Sequence, residues 1–202
     1  MKSAAAQQVV TLCMNPALDI TTSTDVVRPT DKMRCAGARY DPGGGGINVA
    51  HIAQVLGAAA TAVFPAGGPA GELVDSLLLA EGLATQRIMI GGSTRESFTI
   101  DETSTERQYR FVLPGPALTV SEQTECLSRL RRAAASAAIV VASGSLPPGV
   151  PEDFYQQVAI ICAEIGVSLL LDTSGGGLTQ INSGVFLLKP SVRELQEAVG
   201  RV

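Results

Sequence analysis

Tyr40-Asp41-Pro42-Gly43-Gly44-Gly45-Gly46-Ile47-Asn48-Val49-Ala50 sets four consecutive glycines between an extended, turn-prone stretch and the first turn of an apolar segment with helical period. Glycine tolerates positive φ and has no Cβ, so a backbone made of it approaches a small molecule closely and turns N–H groups toward its oxygens. The helix that opens at Ile47 adds unpaired N–H donors and partial positive charge. Asn48 adds an amide that both donates and accepts. Polyols, sugars and phosphates suit such a loop; a plain flexible turn is the other reading of the same residues.

Outward from the glycines, short apolar runs bounded by turn residues predict strands at Val9–Met14, Thr61–Phe64, Ala138–Ala142, Val167–Leu171 and Val185–Leu188. Helix-period segments fall between them at Ile47–Leu56, Gly71–Glu81, Ser121–Ala134, Glu152–Glu164 and Ser191–Val199. Strand and helix in alternation predict an α/β domain whose parallel sheet is covered on both faces. Two stretches break the alternation. Residues 25–40 hold strand-like pieces without a helix, and 97–113 alternate as a hairpin around a turn at Thr103–Glu106. Together they predict a small antiparallel sheet, a lid that covers a ligand or a second subunit.

The 202 residues suffice for one domain with a substantial core, and 46% hydrophobic with 17% charged residues excludes disorder. No apolar run is long enough to span a bilayer, and a net charge of −4 argues against nucleic-acid or anionic-membrane partners. Cys13, Cys35, Cys126 and Cys162 are widely spaced and form no Cys-x-x-Cys pair. With a start that does not resemble a signal peptide, they are expected to be buried thiols of a reduced, cytoplasmic protein. His51, the only histidine, has no catalytic partner in the sequence.

In an open α/β sheet the ligand lies beyond the carboxyl ends of the strands. Asn15, Asp19, Ser143-Gly144-Ser145, Asp172 and Lys189 each follow a predicted strand. Singly they read as caps or turns; together they read as a site. Asp19 and Asn48 suit sugar hydroxyls, and Lys32, Arg95 and Arg110 suit a phosphate, with solvated surface charge as the alternative.

Asn15-Pro16-Ala17-Leu18-Asp19, Pro42 to Ala50, Tyr109 to Gly115, Ser143-Gly144-Ser145-Leu146-Pro147-Pro148-Gly149 and Leu188-Lys189-Pro190 resemble, in order, the motifs of the ribokinase-like (PfkB) family of carbohydrate kinases. The all-glycine form before Ile47 and the Tyr-Arg-Phe-Val run at 109–112 are most similar to the branch acting on fructose 6-phosphate. Relatives acting on fructose 1-phosphate or tagatose 6-phosphate usually carry a lysine among the glycines, absent here. The resemblance implies a ribokinase-like fold and a homodimer through the β lid. It also implies phosphorylation of the C1 hydroxyl of fructose 6-phosphate by ATP with Mg2+, a step of glycolysis.

By the same resemblance Asp19, Gly44, Gly45 and Asn48 hold the sugar, and Lys32, Arg95 and Arg110 its phosphate or the closed lid. Ser145 lines the same cleft. Lys189 and Ser191 face the nucleotide, and Glu194, with Asp172 second, serves the metal. Ser191 stands where the family's Asn-x-x-Glu motif has asparagine. The family's catalytic aspartate and anion hole belong to a later Gly-Ala-Gly-Asp turn that does not occur among these residues. No catalytic residue is therefore assigned here: the base is expected beyond Val202, and the chain is expected to be an incomplete kinase domain, inactive alone. A kinase for another sugar phosphate and a non-catalytic sugar-phosphate-binding or dimerisation module stay open. A dinucleotide-dependent oxidoreductase is disfavoured, because the glycines do not follow the first strand.

Overall fold

The computed structural model describes residues 8–200. The polar, Ala-rich start lies outside them, as does Val202, so the expectation of a catalytic base beyond Val202 falls outside the described residues. Ten strands form two sheets among those described. The larger orders β10-β9-β8-β1-β4-β5, from β1 (Gln8–Leu12), β4 (Ala59–Ala66), β5 (Ala84–Met89), β8 (Ile139–Ser143), β9 (Ser168–Asp172) and β10 (Leu187–Leu188), with every pairing parallel. Successive side chains in β4 explain its two-sided burial. Val63 joins Val10, Leu12, Val140 and Leu169 in a core closed by α3 (Val120–Ala134) and α4 (Phe154–Ile165). Ala62 and Phe64 face the opposite core, closed by Ile47 and Ala50 of α1 (Gly45–Val55) and Val74 and Leu78 of α2 (Gly68–Ala80).

Thr119 and Glu122 begin α3 with a reciprocal cap. Thr119 Oγ1 accepts from Glu122 N–H at 3.3 Å, and the Glu122 carboxylate accepts from Thr119 N–H at 2.7 Å. A second bond at 2.7 Å, from Gly91 N–H, ties this helix start to the loop after β5. Such a cap contributes about 1 kcal/mol.

The smaller sheet orders β3-β2-β6-β7, from β2 (Ala17–Thr24), β3 (Arg39–Gly43), β6 (Arg95–Glu102) and β7 (Arg107–Val112). The hairpin and its turn at 103–106 lie where expected. The sheet is mixed rather than antiparallel, because β2 and β6 both run outward from the larger sheet and pair side by side, Asp19 beside Ser97. The expectation for 25–40 also needs correction: strands flank the segment, and 25–38 contain none. The β-branched run Ile20-Thr21-Thr22 extends β2, whereas Pro29 and a left-handed Thr30 (φ 66°) interrupt the chain beyond it. β5 and the short α5 (Gly176–Thr179) are additions to the elements that the sequence predicts. Of the four free thiols Cys13, Cys126 and Cys162 are buried, but Cys35 is exposed on that strandless segment.

The glycine run is not one loop. Gly43 ends β3, Gly44 caps α1 at φ 115°, and Gly45 and Gly46 already belong to the helix. It joins the two sheets with no residue between strand and cap.

Candidate active site

The sequence places Asp19 in a loop after the first strand; it sits instead within β2, between Asp41 of β3 and Ser97 of β6. A Cβ on Gly43 would stand 2.5 Å from its carboxyl carbon, so this strand-end glycine is what admits the carboxylate over the backbone. Burial raises the Asp19 carboxyl above its ordinary range. Arg95 and Arg110 pull it back down, Asp41 pushes it up, and a Ser97 hydrogen bond lowers it. The half-buried Arg95 is itself held by carbonyls, donating to Asn15 O at 3.2 and 3.3 Å and to Leu113 O at 3.5 Å.

A second group converges at the carboxyl ends of β8 and β9. Gly45, Ser143, Gly144, Ser145, Asp172, Thr173, Ser174 and Glu194 line one open cleft of about 240 Å3. Three hydrogen bonds hold its floor: Gly144 O accepts from Tyr155 OH at 2.8 Å and Thr173 Oγ1 at 3.0 Å, and Gly144 N–H donates to Asp172 O at 2.9 Å. Asn15 Nδ2 reaches Ser145 Oγ at 3.3 Å, linking the β1–β2 connection to this floor. Lys189 lies at 3.2 Å from the Asp172 carboxylate. Ser191 caps α6 (Val192–Ala198), accepting from Glu194 N–H at 3.2 Å while Glu194 Oε2 accepts from Ser191 N–H at 2.7 Å. That backbone bond, followed by the serine side chain, holds the Glu194 carboxyl below its ordinary range. Serine at 191 therefore has a local function, and Ser-x-x-Glu could have announced it as a capping box.

Two expected residues stand apart. Asn48 is exposed and lines a different pocket of about 220 Å3 with Asp41, Pro42, His51 and Glu81. Its histidine is engaged by Glu81 at 3.0 Å. Lys32 lies on the strandless segment, lining a fold of it with Asp25, Arg28, Asp31 and Met33. Nor are all first-turn donors of α1 free for a ligand, since Ile47 and Gly46 N–H groups bond the buried Cys13 thiol, which burial nonetheless pushes up. Asn15, Ser97, Thr173 and Tyr155 have no assigned role in the sequence reading; only Asn15, after the first strand, carries a signal there.

Among the described residues no three histidine, cysteine, aspartate or glutamate side chains gather around one point. A cation held there by protein alone is thereby disfavoured. A hydrated Mg2+, which needs only one or two carboxylates from the protein, would be held by Glu194 and Asp172, which line one cleft.

Known proteins resemble this arrangement closely. ATP-dependent 6-phosphofructokinase isozyme 2 of Mycobacterium tuberculosis is 66% identical over 193 residues, covering 96% of this chain and 57% of the relative. The solved structure of Escherichia coli phosphofructokinase-2 in complex with fructose-6-phosphate superposes with a TM-score of 0.90 at 37% identity, covering 97% of this chain and 65% of that one. The tetrameric inhibited form of the same E. coli enzyme gives 0.89 at 36%, covering 96% and 64%. The chain thus spans less than two thirds of the length of these relatives. Residues 13–202 match the profile of the pfkB family carbohydrate kinases, which takes in the glycine run, the Asp19 strand and the Lys189 strand end alike, and the chain belongs to that family.

Proposed function

We propose that the chain forms the sugar-phosphate side of an ATP-dependent 6-phosphofructokinase, converting fructose 6-phosphate to fructose 1,6-bisphosphate in the cytoplasm. The observation that carries this reading is the Asp19 carboxylate on a lid strand with Arg95 and Arg110 acting on it, beside the glycine run. The carboxylate accepts hydroxyls and the guanidinium groups take the phosphate. Gly44, Gly45 and Ser145 complete the sugar's surroundings, with Asn48 and Lys32 reaching the sugar and its phosphate from the separate pockets that they line. On the other side of the cleft Lys189 and Ser191 face the nucleotide, and Glu194 with Asp172 would hold Mg2+ through water. ATP, when bound, supplies the phosphoryl group, and the metal balances its charge. The role of this chain is to orient the acceptor and exclude water.

Thermal denaturation with added sugar phosphates tests the assignment. Fructose 6-phosphate at about a hundredfold excess over its dissociation constant should stabilise the fold by roughly 2.7 kcal/mol, more than fructose 1-phosphate or tagatose 6-phosphate at equal concentration. A larger shift with either competitor reassigns the substrate, and no shift with any of the three refutes a sugar-phosphate site on this chain.

The lid sheet supports a homodimer. Tyr40, Phe111, Val112 and Leu113 are exposed on or beside its outer strands, an apolar surface that a second copy would cover. Phe111→Asp is expected to weaken self-association at least tenfold in sedimentation velocity; an unchanged dimer would place the interface elsewhere.

A further inference from the structure

Glu102 closes β6 with its side chain buried, 4% exposed, where the outer end of the lid would otherwise be solvent-facing turn. Its Oε1 accepts the Val27 N–H at 2.7 Å. Its Oε2 accepts from Thr105 Oγ1 and, at 3.4 Å, from Tyr109 OH. Around this hub two turns are stitched together by backbone: Thr103 N–H donates to Thr24 O at 3.0 Å and Ser104 N–H to Asp25 O at 3.1 Å. A buried carboxylate whose partners lie on the segment after β2, on the 103–106 turn and on β7 is an anchor rather than a solvated charge.

The anchored segment is the one that carries Lys32. Its far end is held at Ala36, whose N–H donates to Ser23 O at 2.9 Å and whose carbonyl accepts from Thr22 Oγ1 at 2.9 Å. Between Val27 and Ala36 every residue is exposed, and the described bonds are local, such as Arg28 N–H to Met33 Sδ at 3.3 Å. The span is therefore a bridge with two fixed ends, and at Val27, just past the backbone bonds of Thr24 and Asp25, the fixing is made by the Glu102 side chain.

We infer that Glu102 is a positioning residue: by fixing the Val27 end it sets the path of residues 28–35, and with it the reach of Lys32 to the substrate phosphate. The second half rests on the reading of Lys32 given above. Hydrogen exchange on the 202-residue chain separates the two halves. Glu102→Ala should speed exchange of the Val27 amide by roughly tenfold, the size of a lost hydrogen bond to a charged acceptor, and leave β1 and α4 protected. Glu102→Gln keeps an oxygen for Val27 and should restore protection. Unchanged exchange in the alanine variant, faster exchange throughout the core, or no rescue by glutamine each overturns the anchor. In calorimetry with fructose 6-phosphate, Glu102→Ala should weaken binding severalfold in the wild-type background and add nothing to Lys32→Ala. If Lys32→Ala leaves that affinity unchanged, the phosphate reading of Lys32 fails, and the exchange comparison alone decides whether Glu102 anchors the segment.

Discussion

Asp19→Asn is expected to raise the melting temperature at neutral pH while abolishing measurable sugar-phosphate binding. The carboxylate is half-buried, lies across the ladder from Asp41, and has its pKa raised by that burial in spite of Arg95 and Arg110. A carboxyl whose folded pKa lies above its unfolded value favours folding when protonated. That contribution is complete below the unfolded pKa and disappears as the pH rises through the folded one. At pH 7 the ionised group is thus a liability of the empty site, and the neutral, isosteric amide removes it. The advantage of the variant should shrink as pH falls into the carboxylate range, because wild-type Asp19 then becomes neutral as well. Binding moves the other way. Two hydroxyl donors facing an amide with one acceptor oxygen lose charge-assisted bonds of about 1.5–3 kcal/mol each, roughly a hundredfold or more in affinity. A variant that melts several degrees lower would mean that the pairing with Arg95 and Arg110 outweighs burial. One that binds fructose 6-phosphate normally would remove Asp19 from the site. Stability conceded at a polar, ligand-directed position is a common trade in enzymes.

Gly46→Ala should be one of the most damaging single-methyl changes among the described residues. In an ordinary helix the substitution gains about 1 kcal/mol. Here the new Cβ would lie 2.7 Å from the Leu12 carbonyl carbon and 2.8 Å from Cys13 N, backbone atoms at the buried end of the central strand β1. Neither can yield, so α1 must lift away, opening the contacts of Ile47 and Ala50 with Phe64 and their neighbours. A net loss of about 3 kcal/mol follows, roughly 6–12 °C in melting temperature for a domain of this size. Lifting α1 also displaces Gly45 from Ser143 and Gly144, which a Cβ at 45 would approach within 3.0 Å, so ligand affinity should fall beyond the loss of fold. Gly37→Ala, with no atom within 4 Å and no positive φ, is the control expected to behave as wild type. Equal melting temperatures for the two variants would contradict the close approach.

The larger sheet was legible because its central strands are covered by helices on both faces and read as unbroken apolar runs such as Ala138–Ala142. β5 was not, because Ala-Thr-Gln-Arg-Ile-Met mixes polar and apolar residues at a sheet edge. Its Arg87 is tucked under α2, 3.8 Å from Asp75, an arrangement visible only in three dimensions. The hairpin half of the lid was located to within a few residues, but the other half was misplaced, because β2 continues the chain after Pro16 through Asp19 and a polar residue after a first strand reads as a loop. The clustering of Ser145, Asp172 and Glu194 followed from strand ends and motif. The electrostatic influence of Arg95 and Arg110 on Asp19 could not be read from spacing, because β6 and β7, far along the chain from β2, carry them.

The parallel pairing of β2 with β6 has a consequence for how the protein is made. Asp19 emerges from the ribosome roughly 80 residues before Ser97, its neighbour in the sheet, a delay of about 4–16 s at ordinary elongation rates. During that interval α1, β4, α2 and β5 can assemble on β1, while β2 waits with one side of its backbone unmatched. The lid sheet is therefore completed only after the α1, β4, α2 and β5 unit, and its Thr-rich first strand is exposed before its partner strand is made.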